Sequence, residues 1–86
     1  KMDIQIKIPK YTNDSGFQFV WEDNFIIETE INGNTIIIRA NKDGLISMAK
    51  HLLTLAQNEV PTGTHIHYDE LNSLEEGSCE IVIQKI

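Results

Sequence analysis

The sequence predicts an α+β fold: a mostly antiparallel sheet with one amphipathic helix packed on one face, in two layers and in the order strands, helix, strands. Three observations lead there. Apolar residues alternate with polar ones at both ends of the chain, a period of three and four replaces that alternation between Lys42 and Asn58, and Asn32-Gly33-Asn34 separates two runs rich in Ile and Thr. A single small domain spanning residues 1–86 is the natural count for a chain of this length.

Ile4, Ile6 and Ile8 alternate with Gln5 and Lys7, so Asp3 to Ile8 reads as a strand that buries one face. Pro9 and the cluster Thr12 to Gly16 end it in turn-forming residues. Phe17, Phe19 and Trp21 then define a short aromatic edge strand, closed by a turn at Glu22, Asp23 and Asn24. Phe25 to Ile31 and Thr35 to Ala40 form a hairpin around Gly33. Across Lys42 to Asn58, Leu45, Met48, Ala49, Leu52, Leu53 and Ala56 make an apolar stripe, with Asn41 as N-cap and Asp43 at the positive helix start. That stripe, with Leu52 and Met48 at its centre, is expected to be core. Pro61 and Gly63 stop the helix, and Thr64 to Tyr68 and Cys79 to Ile86 resume the alternation as two strands joined by a polar loop.

Composition excludes several function classes. Thirteen acids against seven bases give a net charge of −6, which opposes nucleic acid and anionic membrane and suits a basic protein partner. No apolar run exceeds three residues, so nothing in the sequence spans a membrane. Cys79 is the only cysteine, which rules out an internal disulfide and fits a reducing, cytoplasmic setting. Lys1 to Lys10 alternates where a secretory signal would hold a continuous apolar stretch.

Chemistry-bearing residues are few. His65-Ile66-His67 sets two imidazoles on one side of a strand, with Asp69 two residues on, a spacing that could begin a zinc shell. It lacks a fourth ligand and supporting groups, so the ordinary reading is an exposed strand face with no metal and no cofactor. His51, on the flank of the helix stripe, reads as a partly exposed surface residue. Cys79 falls in phase with Ile81 and Ile83 and reads as a buried structural thiol rather than a nucleophile. Neither Ser47 nor Ser78 sits in a nucleophile elbow, and Gly44 alone makes no phosphate loop. Charge placement says more: Asp14, Glu22, Asp23, Glu28 and Glu30 occupy residues 11–38 without a base, and Glu59, Asp69, Glu70, Glu75, Glu76 and Glu80 occupy residues 51–84 likewise. Convergence of the Glu22 turn and the Glu75 loop would create a strong negative potential.

Asn41-Lys42-Asp43-Gly44-Leu45, the helix end Leu55-Ala56, Gly63-Thr64-His65-Ile66-His67 and Asn72-Ser73-Leu74-Glu75-Glu76-Gly77-Ser78 together resemble family 32 of the immunity proteins of bacterial polymorphic toxin systems. The resemblance covers residues 41–86; the first 40 residues carry no matching motif. It implies a small cytoplasmic protein without enzymatic activity that binds and neutralises a cognate toxin by occlusion. It supplies no map of binding residues. Those follow from residue type: aromatic anchors ringed by charge concentrate interface energy, which selects Trp21, Glu22, Asp23, Tyr68, Asp69, Glu70, Glu75 and Glu76 against a basic toxin domain. Two other classes stand beside this one: a metal-binding or enzymatic domain centred on His65, His67 and Asp69, and a structural homodimer formed through an edge strand or an uncovered sheet face.

Overall fold

A computed structural model describes residues 1–86. Its elements are β1 (Ile27–Asn32), β2 (Thr35–Ala40), α1 (Lys42–Leu55), β3 (His65–Tyr68) and β4 (Ile81–Gln84). β1 and β2 pair antiparallel from Ile27↔Ala40 to Asn32↔Thr35, and β3 and β4 pair antiparallel from His65↔Gln84 to Tyr68↔Ile81. The hairpin turn is Gly33-Asn34, and Gly33 takes φ 61°, a value open to glycine at little steric cost.

The expected sheet is therefore two small sheets, not one. Single bonds stitch them together through the segment before β4: the Glu75 N–H donates to Ile27 O (2.9 Å) and the Cys79 N–H to Thr29 O (3.3 Å). Ser78 Oγ accepts from the Thr29 N–H at 3.1 Å.

Two expected strands are absent: Asp3 to Ile8 and Phe17 to Trp21 form no ladder. For Phe17 to Trp21 the reason lies at α1: side chains of the helix and its two flanks take up backbone groups in and around this stretch that a neighbouring strand would otherwise satisfy. Asp3 to Ile8 makes no backbone hydrogen bond and rests on the helix through its isoleucines. Asn41 Oδ1 accepts from Ile26 N–H (3.0 Å), while its amide donates to Asn24 O (2.9 Å). Ser47 Oγ accepts from Glu22 N–H at 2.8 Å, and His51 Nε2 bonds Val20 O at 2.9 Å. Beyond the helix end, Gln57 accepts from Tyr11 N–H and donates to Pro9 O. Residues 9–26 thus run antiparallel to the helix, strapped to it or its flanks at Pro9 and Tyr11 and again from Val20 to Ile26. Ile4 and Ile6 line a cleft with Leu45, Ile46 and Ala49 on the outer side of α1.

Asn41 caps α1 as expected, accepting from Gly44 N–H at 2.8 Å. The helix ends at Leu55, three residues short of Asn58. There Thr54 Oγ1 bonds back to Lys50 O, and Gln57 N–H donates to Thr54 O to start a tighter turn.

The buried face of α1 differs from the expected one. Gly44, Ser47, His51, Thr54 and Leu55 face inward. Leu45 is 58% exposed, Leu52 43% and Leu53 48%, while Met48 is partly buried against the core. Close approach explains the inversion: a Cβ on Gly44 would lie 2.6 Å from Ile26 O and 2.9 Å from Ile27 Cγ1. Bulky leucines do not fit where the helix meets the hairpin so tightly. The core itself is thin: Ile27, Ile66, Tyr68 and Leu74 form its central cluster, with Phe17, Trp21, Phe25 and Met48 packed around it, and Leu55 and Val60 are buried as well.

Candidate binding surface

His51 is the hub that positions the aromatic segment. It is fully buried, which corrects the expectation of a surface histidine. Val20 O can only accept, so Nε2 carries the proton, and Nδ1 accepts from the Tyr68 hydroxyl at 2.8 Å. Burial pushes the His51 pKa below its ordinary value, opposed by the bond to Val20, and burial raises that of Tyr68. Phe19 and Trp21 meet the imidazole edge-on, with ring centres 5.0 and 4.4 Å away. Trp21 stacks on Phe25 at 4.3 Å.

Because Val20 is tied to the helix rather than to a strand, Phe17, Phe19 and Trp21 face β3 across a groove of about 320 Å³. His65, Ile66 and His67 of β3 and Asn72 complete its lining. The Asn72 amide donates to His67 O at 3.1 Å, joining the groove to the loop that follows β3.

That loop is tied together by its own side chains. Asp69 Oδ1 accepts from Leu71 N–H (2.9 Å) and Asn72 N–H (3.0 Å), Asn72 Oδ1 accepts from Asp69 N–H (3.1 Å), and Glu70 Oε2 accepts from Gly77 N–H (3.1 Å). Leu74 plugs into the core, and Glu75 and Ser78 fasten the far end to β1. At the tip stands Leu71, 97% exposed, with Glu70, Glu75 and Glu76 exposed nearby in the loop. Glu75 and Glu76 enter no ion pair.

The residues singled out in the sequence thus divide. Glu70, Glu75, Glu76 and Asp23 are exposed, and Asp69 spends its carboxylate on the loop turn. Glu22 pairs with Lys50 at 3.1 Å on the helix side, and no hydrogen bond or ion pair links it to the Glu75 loop. Trp21 is half-buried in the aromatic cluster. Tyr68 is 1% exposed, a correction to its expected role as an anchor: a ring enclosed by the core, with its hydroxyl bonded to His51, offers no surface to a partner.

His65 and His67 stand edge to face with ring centres 4.9 Å apart, and His67 Nδ1 meets Glu80 at 3.1 Å. No three His, Cys, Asp or Glu side chains gather as a metal shell. Cys79 is half-buried, with Sγ 3.3 Å from Thr29 Oγ1.

Sequence reasoning missed His51 and Leu71. The signal for His51 was the spacing Gly44, Ser47, His51, Thr54, a stripe of small and polar residues at helical period that marks a close-packed face. For Leu71 it was a lone leucine among turn-forming acids, with no apolar neighbour in phase.

A small α+β protein that presents an internally hydrogen-bonded acidic loop carrying an exposed leucine beside an aromatic groove is the class that fold and site define. No helix is long and apolar enough to cross a membrane. The chain belongs to the family described as Immunity protein 32, whose profile matches residues 35–86, more than half its length. No curated protein and no solved structure matches it.

Proposed function

We propose that this protein is a toxin immunity protein of a bacterial polymorphic toxin system. In the cytoplasm it binds a basic toxin domain and neutralises it by occlusion, without catalysis of its own. Family membership supports the immunity role. The observation that carries the binding mode is Leu71, fully exposed on a loop that is already ordered. An ordered loop spares a complex part of the entropy cost of fixing a flexible one. A leucine in the same loop as the exposed Glu70, Glu75 and Glu76 supplies an apolar anchor alongside complementary charge. Trp21 adds to this surface through the groove it lines with Asn72, Glu22 and Asp23 add charge on the helix side, and Asp69 holds the loop in shape; Tyr68 drops out because it is enclosed.

The test uses the toxin domain encoded beside this gene. Association and dissociation rates are measured for the wild type, Leu71→Ala, and a variant with Glu75→Lys and Glu76→Lys, at low and high salt. Steering by exposed charge predicts that the double variant associates more slowly than the wild type at low salt, with the difference shrinking as salt screens it. Leu71→Ala should mainly speed dissociation. Equal rates for all three proteins would overturn the assigned surface, and absence of wild-type binding would overturn the immunity reading for that pair.

A further inference from the structure

The β1–β2 hairpin has one apolar face, on which Ile27, Thr29 and Ile31 stand opposite Ala40, Ile38 and Ile36. Its base is covered: Ile27 and Thr29 are buried. Its outer half is bare, with Ile31 66%, Ile36 68% and Ile38 45% exposed. β2 also has no strand on its outer edge. The Asn41 N–H donates inward to Ile26 O, so the odd-numbered residues of β2 bond β1, and the backbone groups of Ile36 and Ile38 point outward, unpaired.

Edge strands are ordinarily guarded by lysine, proline or a bulge. β2 has none of these. Its single charge, Arg39, is drawn back over its own hairpin to Glu28 and Glu30. What remains at the edge is Thr35 to Ile38, uncharged and, beyond Thr35, apolar. A basic toxin steered by the acidic loop finds no complementary charge here. A second copy of the chain does fit, because the edge is self-complementary.

We propose that β2 pairs antiparallel with β2 of a second copy, about a two-fold axis at Ile37. Ile36 then lies opposite Ile38 of the other copy, and each donates and accepts through its free backbone groups. Such a register keeps Ile36 and Ile38 of both copies on one face. On the other face Ile37 meets Ile37 at the axis and Arg39 stands opposite Thr35, so no like charges meet across it. The result is a four-stranded sheet, β1-β2-β2-β1, in which neither β2 is an edge.

Sedimentation of the wild type over a concentration series should show a monomer converting to a dimer. Ile38→Lys should remain monomeric throughout, whereas Val82→Lys, at an exposed position on β4, should dimerise as the wild type does. Hydrogen exchange of the unmodified protein guards against a misfolded variant: the amides of Ile36 and Ile38 should become more protected as concentration rises. A monomeric wild type, a dimer that survives Ile38→Lys, or amides that exchange freely at every concentration would each overturn the proposal. So would protection of these amides by the toxin domain alone, which would give the edge to the toxin.

Discussion

Residues 9–26 and residues 27–86 both contain apolar alternation, yet one is held by side chains and the other by backbone ladders. In the hairpins, each strand answers its neighbour's N–H and C=O groups directly. In the N-terminal stretch, Ser47 and His51 on α1 and Asn41 and Gln57 at its two ends answer some of them instead. The difference teaches that period-two apolarity reports a half-buried extended chain and says nothing about what pairs with its backbone. It also accounts for the polar stripe on the buried side of α1: Ser47 and His51 are inside because their hydrogen bonds replace a missing strand. The family match begins at Thr35 and so covers four of these tethering residues while leaving out the segment they tether.

The largest effect on this arrangement should come from His51→Ala. It opens a cavity between Trp21 and Tyr68, orphans the Val20 carbonyl and removes the acceptor of the Tyr68 hydroxyl. Lost packing and two unmade buried bonds together should cost about 2 to 5 kcal/mol. Chemical denaturation measures the loss, and an unchanged midpoint would mean that the strap contributes nothing to holding residues 9–26.

The hairpin at Gly33, the N-cap at Asn41, the helix and the two later strands were all legible, because each depends on local chemistry within a few residues. The two N-terminal strands were misread because alternation does not name a pairing partner: Val20 bonds the His51 side chain 31 residues on instead of a strand, and Asp3 to Ile8 rests on the helix through Ile4 and Ile6. Much of the candidate surface was legible too, since Glu70, Glu75 and Glu76 occupy a polar loop that any reading exposes. Tyr68 was misplaced because strand alternation gives two faces without saying which is covered. In the structure, Ile66 and Tyr68 face the core while His65 and His67 face outward.

A smaller effect sharpens the same contrast through pH. His51 is neutral in the fold with a pKa below its ordinary value, whereas in the unfolded chain it titrates near 6.5. Between the folded and unfolded values the unfolded state binds more protons, so this contribution to stability is complete above about pH 6.5 and is lost as pH falls below it. Urea midpoints measured at about pH 7 and about pH 5.5 should therefore drop on acidification, and the drop should shrink in His51→Asn, which cannot titrate. An equal drop in both proteins would assign the pH dependence to other groups.

The smallest effect is expected on the opposite side of the same helix. If the apolar stripe were core, Leu52→Ala would cost about 2 to 5 kcal/mol through lost transfer energy and a cavity. Leu52 is instead 43% exposed, so truncation removes only part of a buried side chain and leaves a dent open to water rather than a void. Alanine's stronger helix preference offsets some of that loss. The net cost should be about 1 kcal/mol or less, well under that of His51→Ala one position earlier. Denaturation of the two variants side by side is a direct comparison of the helix faces. If Leu52→Ala were the more damaging, α1 would be rotated from the orientation described above, and the tethering of Glu22 and Val20 by Ser47 and His51 would fall with it.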